Sequence, residues 1–156
     1  MKVKIISIML LLFSMATPVV VTMAIPKKAE PFNYKAVMNP YFLEDWAGAQ
    51  KYTQYGVLRD EDNEVVGSIT LDILITNANK YLSGGTARAR VHFFMDFDAR
   101  PDITGIIVGK TSLDITTEPW TQDIEGKFVG RGSHVKGTIS LESGDPNVLL
   151  FSGMEW

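Results

Sequence analysis

The sequence predicts an all-β fold: an antiparallel meander of seven or eight strands, closed into a small up-and-down barrel. Three observations carry this. Apolar and polar residues alternate through most of the chain from residue 51 onward. Short connections rich in Gly, Pro, Asp and Asn separate the alternating runs. No stretch shows the 3.6-residue period of an amphipathic helix of ordinary length.

The alternation is plainest in two runs. Within 65–75, Ile69, Leu71, Ile73 and Ile75 fall on one face, and Ser68, Thr70 and Asp72 on the other. Within 86–98, Ala87, Ala89, Val91, Phe93, Met95 and Phe97 alternate with Thr86, Arg88, Arg90, His92, Phe94, Asp96 and Asp98. A helix would scatter these apolar residues around its circumference, whereas a strand gathers them on one side. A long strand is expected over 103–117 and a shorter one over 124–131, where Ile124 and Phe128 share a face with Gly126 and Gly130. In 135–142, Val135, Gly137, Ile139 and Leu141 alternate with polar residues, and 148–156 closes the chain. The connections 59–63, 83–85, 99–102 and 143–147 are short and carry turn chemistry, so successive strands are antiparallel neighbours.

Such strands can close into a barrel or pack as a two-sheet β-sandwich, the alternative reading. Glycines favour closure. Gly67, Gly105, Gly109, Gly126, Gly130, Gly137 and Gly153 sit inside strands, where they fit strong coiling and a tapering interior. In outline the layout resembles lipocalin-type and cyclase-type barrels, a likeness of architecture that no family motif accompanies.

The chain of 156 residues suits one domain, with 46% hydrophobic residues. Residues 1–24 read as a secretory signal peptide. Lys2 and Lys4 precede an apolar run over 5–21 interrupted by Pro18, and Thr22-Met23-Ala24 places small residues at a cleavage site. The apolar run approaches the ~18 residues needed to span a bilayer, so an uncleaved anchor is the competing reading. Residues 25–49 are expected to form an aromatic-rich N-terminal arm packing across the fold. They hold Pro26, Pro31 and Pro40 with Phe32, Tyr34, Tyr41, Phe42 and Trp46. The barrel is expected over 50–156, in a secreted or otherwise extracytoplasmic protein with no stable membrane span after cleavage.

Losing Lys2 and Lys4 takes the net charge from −3 to −5, a balance that excludes a general nucleic-acid binder and offers no basic tract for anionic lipid. The chain has no cysteine, which removes thiol chemistry, Cys-ligated zinc and disulfide staples.

Four groups of residues invite a chemical reading. Arg88, Arg90 and His92 project together at about 7 Å spacing; on a cavity wall they would grip a carboxylate or phosphate, with His92 as acid or base. Facing solvent, they would be ordinary cross-strand partners of Asp72, Lys110 or Asp114. Asp96, Asp98 and Asp102 suggest oxygen ligands for calcium, and 60–64 does too, but the EF-hand spacing is missing. His92 and His134, the only histidines, stand apart without a zinc pattern. Neither a metal nor a cofactor is expected. The fourth group is the apolar inner face: Ile69, Leu71, Ile73, Val91, Phe93, Met95, Phe97, Leu113, Ile115, Phe128, Ile139 and Leu141. Its bulky aromatics argue for a filled interior and its inward glycines and alanines for a chamber.

These features predict a non-catalytic barrel binding a small, largely apolar ligand, with Arg88, Arg90, His92, Val91, Phe93, Met95, Phe97 and Phe128 as the contact residues. An extracytoplasmic protein–protein interaction or structural module built on the aromatics of 32–46 is the first alternative. A barrel enzyme (isomerase, cyclase or hydrolase) using an inward-facing Arg88, Arg90 and His92 is the second.

Overall fold

The computed structural model describes residues 28–39, 50–77, 83–114, 116, 121–132, 134–143 and 145–156. The expected signal peptide, residues 1–24, lies outside them. Eight strands follow one another in chain order: β1 (Glu30–Met38), β2 (Gln50–Arg59), β3 (Val65–Thr76), β4 (Thr86–Phe97), β5 (Ile103–Asp114), β6 (Thr121–Arg131), β7 (Val135–Glu142) and β8 (Asp145–Glu155). Each pairs antiparallel with the next, and β8 returns to β1, so the sheet closes into an up-and-down barrel rather than a sandwich. Closure gives every strand a neighbour on both sides, although β1 pairs with β2 only from Lys35↔Arg59 to Met38↔Gly56.

The barrel begins earlier than the sequence suggests. Residues 30–38, expected in an arm outside the wall, form β1, which pairs with β8 from Glu30↔Glu155 to Val37↔Val148 and so closes the barrel. Its inward residues Phe32, Ala36 and Met38 are buried and Tyr34 is packed against the core. Pro31 is tolerated because it stands near the start of the strand, where one missing donor does little harm. The rest of the expected arm described here is confined to residues 28, 29 and 39; Tyr41, Phe42 and Trp46 lie outside the described residues.

Period-2 alternation appears directly in the burial of β4, where Ala87, Val91, Phe93, Met95 and Phe97 are buried and their even-numbered neighbours exposed. Across β3 the expected inward set Ile69, Leu71, Ile73 and Ile75 is buried as well. Phe128 and Ile139 join the core and Leu141 packs against it, while the Leu113 and Ile115 side chains lie outside the described residues. β8 starts at Asp145, inside the segment expected as a turn, because a bulge at Leu141/Glu142 lets Glu142 pair with Asp145.

Because the strands alternate in direction, the barrel has two distinct ends. The β2–β3, β4–β5 and β6–β7 connections lie at one, called the lower end; β1 finishes and β8 begins at the other, the upper end. The lower β2–β3 turn uses its acidic residues structurally. The Asp60 carboxylate accepts a hydrogen bond from Glu64 N at 2.9 Å, the Asp60 carbonyl accepts from Asn63 N at 3.1 Å, and Asn63 takes φ 66°. Asparagine tolerates that left-handed geometry better than most residues.

Candidate functional site

The two halves of the interior are built differently, and the register explains why. In the lower half, aromatic rings lie beside glycines on neighbouring strands. Phe128 on β6 faces Gly137 on β7, Gly137 faces Gly153 on β8, and Gly153 faces Phe32 on β1. A Cβ at Gly137 would stand 2.8 Å from the Phe128 ring. Phe93 likewise lies opposite Gly105, where a Cβ would stand 2.4 Å from Phe93 Cζ. The rings occupy the space the glycines leave. Phe93, Phe128 and Phe151 contact one another with centroids 5.3 to 6.2 Å apart, mostly edge to face, and Phe32 meets Phe128 at 5.7 Å.

Arg100, in the β4–β5 connection, seals this plug from below. Its guanidinium bonds Glu155 at 2.6 Å and the Tyr34 hydroxyl at 3.2 Å, and it lies 4.8 Å over the Phe97 ring and 5.6 Å over Phe32. Burial by itself would lower the Arg100 pKa, but the hydrogen bonds to Tyr34 and Glu155 outweigh it and hold the pKa above its ordinary value.

The upper half follows another register row. Ala89 on β4 faces Gly109 on β5, Gly109 faces Gly126 on β6, and Gly126 faces Ile139 on β7. Three successive positions thus contribute a methyl group or nothing, and no aromatic is paired beside them within these strands. Here the interior holds a cavity of about 210 Å³. Its walls are mainly aliphatic, including Leu71, Ile73, Val91, Ile107, Ile139 and Leu149. Lys110 and Pro146, both exposed, also border it.

Among the described residues the polar side chains lining the cavity are Tyr52 and Gln54 from β2, Thr111 from β5, Gln122 from β6 and Asn147 from β8, together with Lys110. Gln54 donates to the Asn39 carbonyl at 2.9 Å, and Gln122 Nε2 donates to Thr111 Oγ1 at 3.1 Å. Thr111 is buried. Among the described residues one charged residue lines the cavity, Lys110, which pairs with Glu125 at 3.3 Å on the surface. Among the described residues the lining is therefore mainly aliphatic, with neutral hydrogen-bonding side chains interspersed and Lys110 as its one charged member.

Of the residues expected to touch a ligand, Val91 lines the chamber. Phe93, Met95, Phe97 and Phe128 are buried but belong to the packed lower half. Arg88, Arg90 and His92 correct the expectation: all three are exposed on the outer wall. Strand parity imposes this, since burying Val91 and Phe93 turns their neighbours outward. His92 stands opposite Asp72, and Arg88 opposite Lys110. The enzyme reading required that triplet to face inward, and it does not. In the lower β4–β5 turn, Asp102 Oδ1 accepts from Phe97 N at 3.3 Å, so it closes the turn. No group of three or more potential metal ligands comes together among the described residues.

Sequence reasoning missed Gln54, Thr111, Gln122 and Arg100. Thr111 and Gln122 were visible by parity, because they share the inward faces of Ile107 and Ile124. Glu155, on the inward parity of Phe151, signalled a cation at the lower end. No helix among the described residues is long and apolar enough to cross a membrane. Comparison of the chain with protein-family models, with curated proteins and with solved structures found no match.

Proposed function

We propose that this protein is an exported, non-catalytic barrel that binds one small, largely apolar molecule in the upper half of its interior. The observation that carries the reading is the division of the barrel. Close-packed protein interiors rarely leave space beyond a water or two, yet the upper half holds about 210 Å³ lined mainly by aliphatic groups. The lower half supplies rigidity, with Arg100 and the aromatic plug blocking passage through the barrel. Export rests on the sequence of residues 1–24, with Lys2 and Lys4 ahead of the apolar run and small residues at Thr22 and Ala24.

Native mass spectrometry of the protein purified from its own cells, without organic extraction, tests both parts. Retained non-covalent mass, together with a chain beginning at Ile25, is the expected result. A bare chain that takes up no apolar compound overturns the binding reading, and an intact N-terminus overturns cleavage.

An extracytoplasmic interaction module is the second reading. The aromatics of 32–46 no longer motivate it within the described residues, since Phe32 is buried and Tyr34 is packed beneath Arg100. What favours it is the outer wall, where Val108 and Val129 are 62% and 60% exposed on adjacent strands. A stable complex in the same mass spectrum would bring this reading forward.

A further inference from the structure

The chamber carries more information than its volume and its apolar walls, and what it adds concerns the chemical class of the guest. Resting on the binding reading above, we infer that the guest is a neutral molecule carrying a hydroxyl group, held with that group at Thr111 and Gln122 and its hydrocarbon part pointing down toward the plug.

The hydrogen-bond inventory of the pair leads there. Gln122 Nε2 donates to Thr111 Oγ1 at 3.1 Å. A threonine hydroxyl that accepts one bond still has its own hydrogen to give, and a glutamine carbonyl still has lone pairs to fill. Among the described residues, no hydrogen bond is made by the Thr111 hydroxyl as a donor or by the Gln122 carbonyl as an acceptor. Thr111 is only 5% exposed, so little bulk water reaches it. A guest hydroxyl answers both groups at once, accepting from Thr111 and donating to Gln122. A ketone or ester satisfies Thr111 alone, and a hydrocarbon satisfies neither.

Charge narrows the class further. Bringing a carboxylate into an apolar chamber is costly without a cation beside it. Among the described residues Lys110 is the only charged one lining the chamber; its side chain is 63% exposed and already paired with Glu125. An acid guest would therefore be held less well than an alcohol of the same shape. Position fixes the orientation: Thr111 and Gln122 stand near the upper ends of β5 and β6, while Leu71, Val91 and Ile107 lie deeper. Size sets the upper limit. A dry 150 Å³ cavity accommodates benzene, so 210 Å³ takes a guest of about eight to ten non-hydrogen atoms.

Isothermal titration with para-ethylphenol, para-ethyltoluene and para-toluate tests this, because the three share size and shape and differ in the polar end. The phenol is expected to bind the wild-type protein roughly three- to tenfold more tightly than the hydrocarbon, the value of one or two neutral hydrogen bonds. The toluate is expected to bind more weakly than the phenol. Thr111→Val keeps the shape and removes the hydroxyl, so it should weaken the preference for phenol over hydrocarbon, Gln122 still accepting from the guest; Thr111→Ser should restore it. Equal binding of phenol and hydrocarbon to the wild-type protein, or an undiminished preference in Thr111→Val, overturns the inference and leaves the chamber a binding site. If none of the three compounds binds, the binding reading itself falls.

Discussion

Arg100 and Glu155 meet at 2.6 Å across the lower end of the barrel, one from a turn and the other from the last strand. The arginine is 25% exposed and the glutamate 12%, so the pair is largely withdrawn from water. Removing one member of such a pair leaves the other poorly solvated. Arg100→Ala also strips the cover from Phe97 and Phe32. It should cost about 2 kcal/mol in urea denaturation, less than the figure for a fully buried pair because solvent reaches both groups. Replacing both partners with apolar residues, Arg100→Met with Glu155→Leu, should recover most of that loss. Equal stability of the Arg100→Ala variant and wild type would contradict the sealing role.

Gly105 makes a second prediction. Any side chain there meets the Val129 carbonyl at 2.3 Å and the Phe93 ring at 2.4 Å. The carbonyl belongs to the wall and cannot turn away. Gly105→Ala should therefore destabilise by about 2 kcal/mol or more, the scale of overpacking in a filled core. Gly132→Ala is the control, because φ of 99° strains the backbone by roughly 1 kcal/mol while the nearest atom lies 3.5 Å away. Thermal unfolding of the two variants should rank them in that order.

The unequal halves of the interior make a third prediction. Phe128→Ala should cost about 3–5 kcal/mol, since its ring is fully buried in the plug. Ala89→Phe places a ring into the chamber instead, so its effect on stability should stay within about 1 kcal/mol. Titration with para-ethylphenol should then give no binding to Ala89→Phe. A large loss of stability in that variant would mean the upper half is already full.

Much of this architecture was legible in the sequence. The strands β3, β4 and β7 follow from alternation, because a barrel with an apolar interior writes its inside and outside onto odd and even positions. β1 was obscured by Pro26, Pro31 and Pro40, although Phe32, Tyr34, Ala36 and Met38 already alternate. The division into plug and chamber was beyond reach. It depends on which inward residues of different strands meet, and register pairs Phe128 with Gly137 but Ala89 with Gly109. Alternation also could not tell which face of 86–98 turned inward with its arginines until closure fixed it, yet the cleaner apolar face was the better guide.

That outcome makes the fourth prediction. Arg90 is exposed and stands between Leu74 and Val108 on the outer wall. Arg90→Ala should change stability by no more than about 0.5 kcal/mol and leave the affinity for para-ethylphenol unaltered. Loss of binding in this variant, with its fold intact, would place the site on the outer surface.

The most direct test of a barrel solid at one end and hollow at the other is methyl NMR under xenon pressure, since xenon enters dry apolar cavities and ignores filled ones. Shifts should be confined to the chamber methyls of Leu71, Ile73, Ile107 and Ile139, with those of Leu58, Ile103 and Val135 in the lower half unmoved. Unmoved chamber methyls, or equal shifts at both ends, would contradict the account.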